Sequence, residues 1–222
     1  MVIRHRAIHS EDKHERHHAI LDAAERLLVR TPVRVANMSE VADEAGLAKG
    51  TVYLYFTSKD ELLLALHERH VDDFFRALIA LLDARKSVSI EAISTLTREY
   101  IVERPTFLPL ATRCFGALET EVPREVAHAF KERMAQRLQA AGRGLERHFP
   151  ELREGGGVAL LRHSYALIVG LWQMTANPHD IVPGTCHIDA IDYPKELDRA
   201  LGALWDGTMG RKLRAPSSRS KS

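Results

Sequence analysis

Met38-Ser-Glu-Val-Ala-Asp-Glu-Ala-Gly-Leu-Ala-Lys-Gly-Thr-Val-Tyr-Leu-Tyr-Phe-Thr-Ser-Lys-Asp-Glu-Leu-Leu63 reads as two short helices joined by a tight turn and followed by a third, longer helix. Asn37 with Glu40 three residues later is a capping-box pair that opens the first helix, and Met38, Val41, Ala42 and Ala45 form its inward side. Gly46 ends it, because glycine takes the positive φ of a helix C-terminus without a Cβ penalty. Small residues at Ala42 and Ala45 leave room for a crossing helix, and Leu47 fills the space between the two. The second helix, Ala48 to Tyr55, then turns Lys49, Gly50, Thr51, Tyr53 and Leu54 outward while Val52 and Phe56 face in. That is helix-turn-helix geometry, in which the second helix enters a DNA major groove.

The outward residues suit nucleic acid. Lys49 reaches a base edge or a phosphate. Gly50 removes side-chain bulk and lets a backbone approach, and Thr51 and Tyr53 carry hydroxyls for phosphate oxygens. Lys59 adds positive charge at a helix N-terminus, a favourable phosphate position. The alternative is a plain helical hairpin whose Tyr53, Tyr55 and Phe56 are core.

The rest of the chain has helical spacing throughout, which makes the protein all-α. A polar, His-rich stretch, 1–14, is expected to be a loose arm. A first helix follows from Glu15 to Arg30, with Ile20, Ala23, Ala24, Leu27 and Leu28 on one face, stopped at Thr31-Pro32. Ser58 and Glu61 form a second capping box, opening a long helix to Ala84 with Leu63, Leu66, His70, Phe74, Leu78 and Leu81 inward. Further helices are expected over 89–102, 106–119, 123–148, 158–176 and 194–209. Glu154-Gly155-Gly156-Gly157 is read as a flexible hinge, 177–192 as a long loop and 211–222 as a disordered basic tail. The division is 1–14 arm, 15–58 DNA-binding domain, 59–210 helical regulatory and dimerisation domain, and 211–222 tail.

The string from Met38 to Leu63, with Ala19-Ile-Leu-Asp-Ala-Ala-Glu-Arg-Leu-Leu28 before it, closely resembles the TetR family of transcriptional regulators. The resemblance covers about 45 residues, and the Ala-Gly-…-Lys-Gly-Thr-x-Tyr-…-Phe-…-Lys spacing carries it. It implies an N-terminal three-helix DNA-binding domain with a helix-turn-helix, a C-terminal helical ligand domain, and a homodimer. It further implies DNA contacts from Lys49, Gly50, Thr51, Tyr53, Tyr55 and Lys59, with Ser39 and Leu54 placed beside them. Pro32 departs from the family, which usually ends its first helix with glycine.

Bulk composition neither adds to this nor opposes it. The net charge is +1, and residues 1–60 hold nine Lys/Arg against nine Asp/Glu, so any basic surface must come from spatial segregation. Five histidines there, His5, His9, His14, His17 and His18, add charge near their unperturbed pKa of roughly 6.5. Cys114 and Cys186 are far apart and outside any CxxC pair, and no stretch is long and apolar enough for a bilayer, which leads to a cytoplasmic expectation with no membrane partner.

The apolar segment Ala166-Leu-Ile-Val-Gly-Leu-Trp-Gln-Met174 is expected to bury two faces, one against a second copy. Leu167 and Leu171, with Leu197, Leu201, Leu204 and Trp205 of the last helix, are the dimer candidates, and a wholly intramolecular core is the alternative. The pocket for an unknown small-molecule effector is expected among Phe74, Tyr100, Phe107, Phe115, Met134, His163 and Trp172. His67-x-x-His70 and Cys186-His187 are read as surface or interface residues rather than metal ligands. His163-Ser164 cannot pair as base and nucleophile, since adjacent helical residues diverge. No GxSxG, P-loop or GxGxxG motif occurs, so no enzyme activity, cofactor or metal is expected. The function expected is a repressor released from a palindromic operator in double-stranded DNA by its effector. The alternative is a small-molecule or metal-sensing helical protein that does not act through DNA.

Overall fold

The computed structural model describes residues 2–31, 34–84, 86–175 and 192–210, with side chains 2–11, 115, 117–119 and 175 set aside. Pro32, Cys186-His187, the loop over 177–191 and the tail over 211–222 lie outside the described residues. Every regular element among the described residues is helical: α1 (Val2–Arg30), α2 (Met38–Ala45), α3 (Lys49–Tyr53), α4 (Lys59–Ala84), α5 (Ile90–Thr97), which runs on as a π-helical stretch (Arg98–Val102), α6 (Phe107–Thr120), α7 (Arg124–His148), α8 (Gly156–Thr175) and α9 (Tyr193–Thr208).

Helix α1 begins at Val2 and not at Glu15, so the expected loose arm is helical. Apolar spacing marks only where a helix starts to bury a face. From Val2 to Arg30 there is neither glycine nor proline to break one, so the polar stretch continues the same helix outward. Downstream, the second capping box is shifted by one residue. Ser58 Oγ accepts from Glu61 N at 3.1 Å, but the Glu61 carboxylate turns to the Thr57 N–H at 2.7 Å and the Thr57 hydroxyl at 2.6 Å.

The chain forms two compact units, one of residues 1–74 and 97–134, the other of 75–96 and 135–222. The first is built on a single core. Ile20, Ala23, Ala24 and Leu28 of α1 meet Met38, Val41, Ala42, Val52 and Phe56 of the helix-turn-helix, and α4 contributes Leu62, Leu63 and Leu66. Leu110 of α6 closes the same cluster. The expected boundary after residue 58 therefore does not separate two cores: the three N-terminal helices are too small to bury their apolar faces alone, and α4 and α6 supply the missing surface.

In the second unit α9 packs along α8. Leu197, Leu201 and Trp205 are buried inside the chain, Trp205 only 5% exposed. Trp205 Nε1 donates to Ser164 Oγ at 3.1 Å, its ring meets Phe149 edge-on, and the Tyr193 hydroxyl donates to the Ile168 carbonyl at 3.0 Å. These three residues thus belong to the intramolecular core, which corrects their assignment to a dimer face: an indole N–H is buried where it finds an acceptor, and Ser164 provides one. Leu167, Leu171 and Leu204 are half-buried.

The glycine run before α8 is not a flexible hinge. Gly155 takes φ 79° in the turn, and Gly156 and Gly157 already belong to the helix. At Gly157 an added Cβ would stand 2.2 Å from the Gly142 carbonyl oxygen of α7, so the two backbones are in direct contact. The Gly157 N–H donates to Glu146 Oε1 at 3.0 Å. Gly157→Ala must push α8 off α7 and is expected to cost at least about 1–3 kcal/mol, the usual range for overpacking. Gly202→Ala on α9 meets nothing within 4 Å and is expected to be neutral or to stabilise by up to about 1 kcal/mol. Thermal unfolding of the two variants checks this: equal melting temperatures would refute the close crossing.

Candidate nucleic-acid interface

Local hydrogen bonds fix the angle between α2 and α3. Asn37 Oδ1 accepts from the N–H groups of Ser39 at 2.9 Å and Glu40 at 3.1 Å, and Glu40 accepts in return from the Asn37 N–H at 2.8 Å. Arg34 holds the same carboxylate with both terminal nitrogens. Gly46 sits at φ 66°, and the Gly46 and Leu47 N–H groups return to carbonyls of the last turn of α2. A side chain at Gly46 would be strained by its left-handed backbone alone. Val52 and Phe56 are buried in the core, as their helical spacing predicts, and Leu47 fills the gap from a half-buried position.

What remains outside is a small surface. Lys49 and Gly50 are exposed, Tyr53 is 43% and Leu54 83% exposed, and Lys49 Nζ lies 6.0 Å from the centre of the Tyr53 ring. Thr51, Ser39 and Lys59 are half-buried, and the Ser39 backbone is tied to the Asn37 cap. Helix α3 is shorter than expected: Leu54 and Tyr55 lie in the turn after it, and Tyr55 packs partly against the core, with the His17 ring 6.4 Å away. Tyr55 is therefore half scaffold, unlike Tyr53. At Gly50 an added Cβ would meet nothing within 4 Å, so nothing among the described residues requires glycine there.

Ion pairs order the scaffold of this unit. Glu44 is held by Arg26 at 2.7 Å and by Arg30, Glu40 by Arg34, and Asp22 by Arg69 at 2.5 Å. Lys49 is exposed at the start of α3, on the same helix as the Thr51 and Tyr53 hydroxyls.

Sequence reading misses the centre of this unit. Glu25 of α1 accepts from His70 Nε2 at 2.9 Å, Arg69 at 2.7 Å, Arg104 at 3.2 Å and the Thr106 hydroxyl at 3.3 Å, and Arg104 also reaches Asp73 at 3.0 Å. The hydrogen bond from His70, with the guanidinium charges of Arg104 and Arg69 beside it, outweighs burial and holds the Glu25 carboxyl down at about 2. His67 and His70 lie beneath, both buried, with the Phe107 ring edge-on to one and stacked on the other. Burial lowers both imidazoles, His67 to about 3. His70 thus lies inward, as its place in the apolar spacing of α4 implies, and the reading of His67 as a surface or interface residue is corrected: the i, i+3 spacing puts both rings on the inner face of α4, where neutral imidazole packs like an aromatic residue.

The effector candidates are scattered. Phe107 is 1% exposed and packed on the two histidines, Phe74 is buried, Tyr100 is half-buried on the π-helical stretch, and Met134 lies against the apolar cluster of Leu64, Cys114, Val122 and Phe130. These belong to the first unit. His163 and Trp172 belong to the second, where His163 is exposed and Trp172 meets the Tyr193 ring. The Phe115 side chain lies outside the described residues. An open recess of about 550 Å³ runs along α1, lined by Asp22, Glu25, Arg26, Val29 and Arg30, none of them among the effector candidates.

Two family models match this chain: that of the tetR family of bacterial regulatory proteins over residues 20–66, and that of a tetracyclin repressor-like C-terminal domain over residues 68–212. The HTH-type transcriptional activator FasR of Mycolicibacterium smegmatis is 44% identical over 59 residues, 27% of each chain. The fatty acid metabolism regulator protein of Bacillus subtilis is 29% identical over 68 residues, 31% of this chain and 35% of that one. The matched stretch thus spans about a third or less of these relatives. A chain from Mesorhizobium loti described as a TetR-family transcriptional regulator superposes with a TM-score of 0.58 at 16% identity, over 88% of this chain and 96% of that one, which establishes a shared fold. No helix among the described residues is long and apolar enough to cross a membrane.

Two ionisable residues with lowered folded pKa values, buried His67 and half-buried Glu25, predict acid lability. His67 and Glu25 both have folded pKa values below their unfolded ones, so their stabilisation is complete above the unfolded value and is lost as pH falls. For His67 the loss begins below 6.5 and runs to about 3, and for Glu25 it begins below 4.5 and runs to about 2. Each pH unit in the first window removes up to about 1.4 kcal/mol through His67. Melting temperatures measured at about pH 7.5 and 5.5 should fall, and His67→Leu should flatten that fall; an equally steep fall in the variant would contradict a buried neutral His67.

Proposed function

The chain belongs to the TetR family of bacterial regulatory proteins, and on that premise we propose that it is a DNA-binding transcriptional regulator that reads a duplex through α3. The observation that carries this reading is Gly50. A glycine inside a helix sacrifices about 1 kcal/mol relative to alanine, and the space around it is empty. Such a residue is explained by something that approaches from outside. Lys49, Thr51 and Tyr53 surround it with a cation and two hydroxyls, the donors that hold phosphate oxygens, while Ser39, Leu54, Tyr55 and Lys59 frame the contact.

In this reading the first compact unit meets DNA and the second joins two copies. With Leu197, Leu201 and Trp205 turned inward, the face left for a partner carries Ala166 and Ala203, both exposed, and Met174 at 66% exposure, with Leu167, Leu171 and Leu204 beside them. Small side chains let helices approach closely, and a self-complementary patch forms a two-fold dimer. Two recognition helices related by that axis match a palindromic operator. Release by a small molecule, the repressor mode, requires the ligand to bind the DNA-free form more tightly, by as much as it weakens DNA binding. The apolar cluster of Leu64, Cys114, Phe130 and Met134 is the part of the first unit best suited to an apolar effector.

Gly50→Ala separates fold from function. Its melting temperature should be unchanged or higher, while affinity for a duplex selected from random DNA, read by fluorescence anisotropy, should drop roughly tenfold, the equivalent of about 1.4 kcal/mol. Undiminished affinity would remove α3 from the interface. In sedimentation, Ala166→Glu and Met174→Glu should convert a dimer to monomers with the fold intact; dimers in both variants would place the interface elsewhere.

A further inference from the structure

Helix α1 carries a histidine pair that the DNA-reading function leaves unused. His14 Nε2 and His18 Nε2 lie 3.1 Å apart on adjacent turns, both side chains exposed, with ring centroids 4.4 Å apart. A divalent transition-metal ion sits about 2.0–2.1 Å from each imidazole nitrogen. At the observed separation, two such bonds close an angle of roughly 100°, between the octahedral and tetrahedral values. The spacing of the two nitrogens therefore suits a shared ion, with the rings turning so that both lone pairs converge on it.

We propose that His14 and His18 form a bidentate site for a borderline-soft divalent ion of the zinc, nickel or copper class, completed by water. Imidazole favours these metals over magnesium or calcium, which seek oxygen. Among the described residues no group of three or more His, Cys, Asp or Glu side chains is suited to a metal, so the chelate is an open one built from a helical i, i+4 pair. Its position gives it a consequence. His17, between the two ligands, is half-buried with its ring 5.0 Å from Phe56, the residue that anchors the end of the recognition segment. An ion bridging successive turns stiffens the stretch of α1 that carries His17 onto that anchor.

Equilibrium titration of the intact chain with NiCl₂, followed by calorimetry, tests the site. His18→Ala removes one ligand from an exposed helix position and should leave the fold intact by circular dichroism. Its highest-affinity nickel site should weaken by at least about tenfold, since even outer-shell changes at metal sites cost that much. His128→Ala, an exposed histidine on α7, should bind nickel as the unmodified chain does. Equal nickel affinity in His18→Ala and the unmodified chain overturns the proposal, as does a loss shared equally by His128→Ala.

Discussion

The half-buried Glu25 carboxylate is the constraint on which the first unit depends. A carboxylate removed from water is tolerated where charge and hydrogen bonds replace its hydration, and here α4 and the segment before α6 supply both. Four side chains converge on it: Arg69 and His70 from α4, and Arg104 and Thr106 from the chain leading into α6. Because Glu25 lies on α1, the same helix whose opposite residues Ile20, Ala23 and Ala24 carry the helix-turn-helix core, the network sets α1 in one position relative to α4. Apolar packing is non-directional and would permit sliding; an ion network with this many specified partners does not.

This arrangement says what any regulatory motion in the unit must do. Moving Arg104 or His70 away from α1 leaves the carboxylate short of partners, and moving Phe107 uncovers two neutral buried imidazoles. Such displacements are penalised for that reason.

The parts of the molecule that depend on neighbours in sequence were legible in it. The Asn37–Glu40 cap, the Gly46 stop, the inward Val52 and Phe56 and the exposed Lys49, Gly50, Tyr53 and Leu54 all follow from local rules, and the structure places them accordingly. Features that depend on distant partners were not legible. Arg104 and Glu25 are 79 residues apart, and no spacing rule connects them. His70 was legible as an inward position, but His67 was not, because its burial is decided by Phe107 of another helix. Trp205 read as a dimer contact because apolar spacing shows that a face is covered without showing by what; within the chain it is covered by Phe149 and by Ser164, its hydrogen-bond acceptor. The polar start of α1 failed for a different reason, since amphipathic spacing marks only the buried part of a helix.

The central claim is that α3 meets phosphates and bases of duplex DNA. Its most direct test is the affinity for a selected duplex as a function of salt, compared between the intact chain and Lys49→Ala. Phosphate contacts release counterions, so the logarithm of affinity should fall linearly with the logarithm of salt concentration, and Lys49→Ala should reduce that slope by about one. An affinity indifferent to salt, or a slope that Lys49→Ala leaves untouched, would contradict the account.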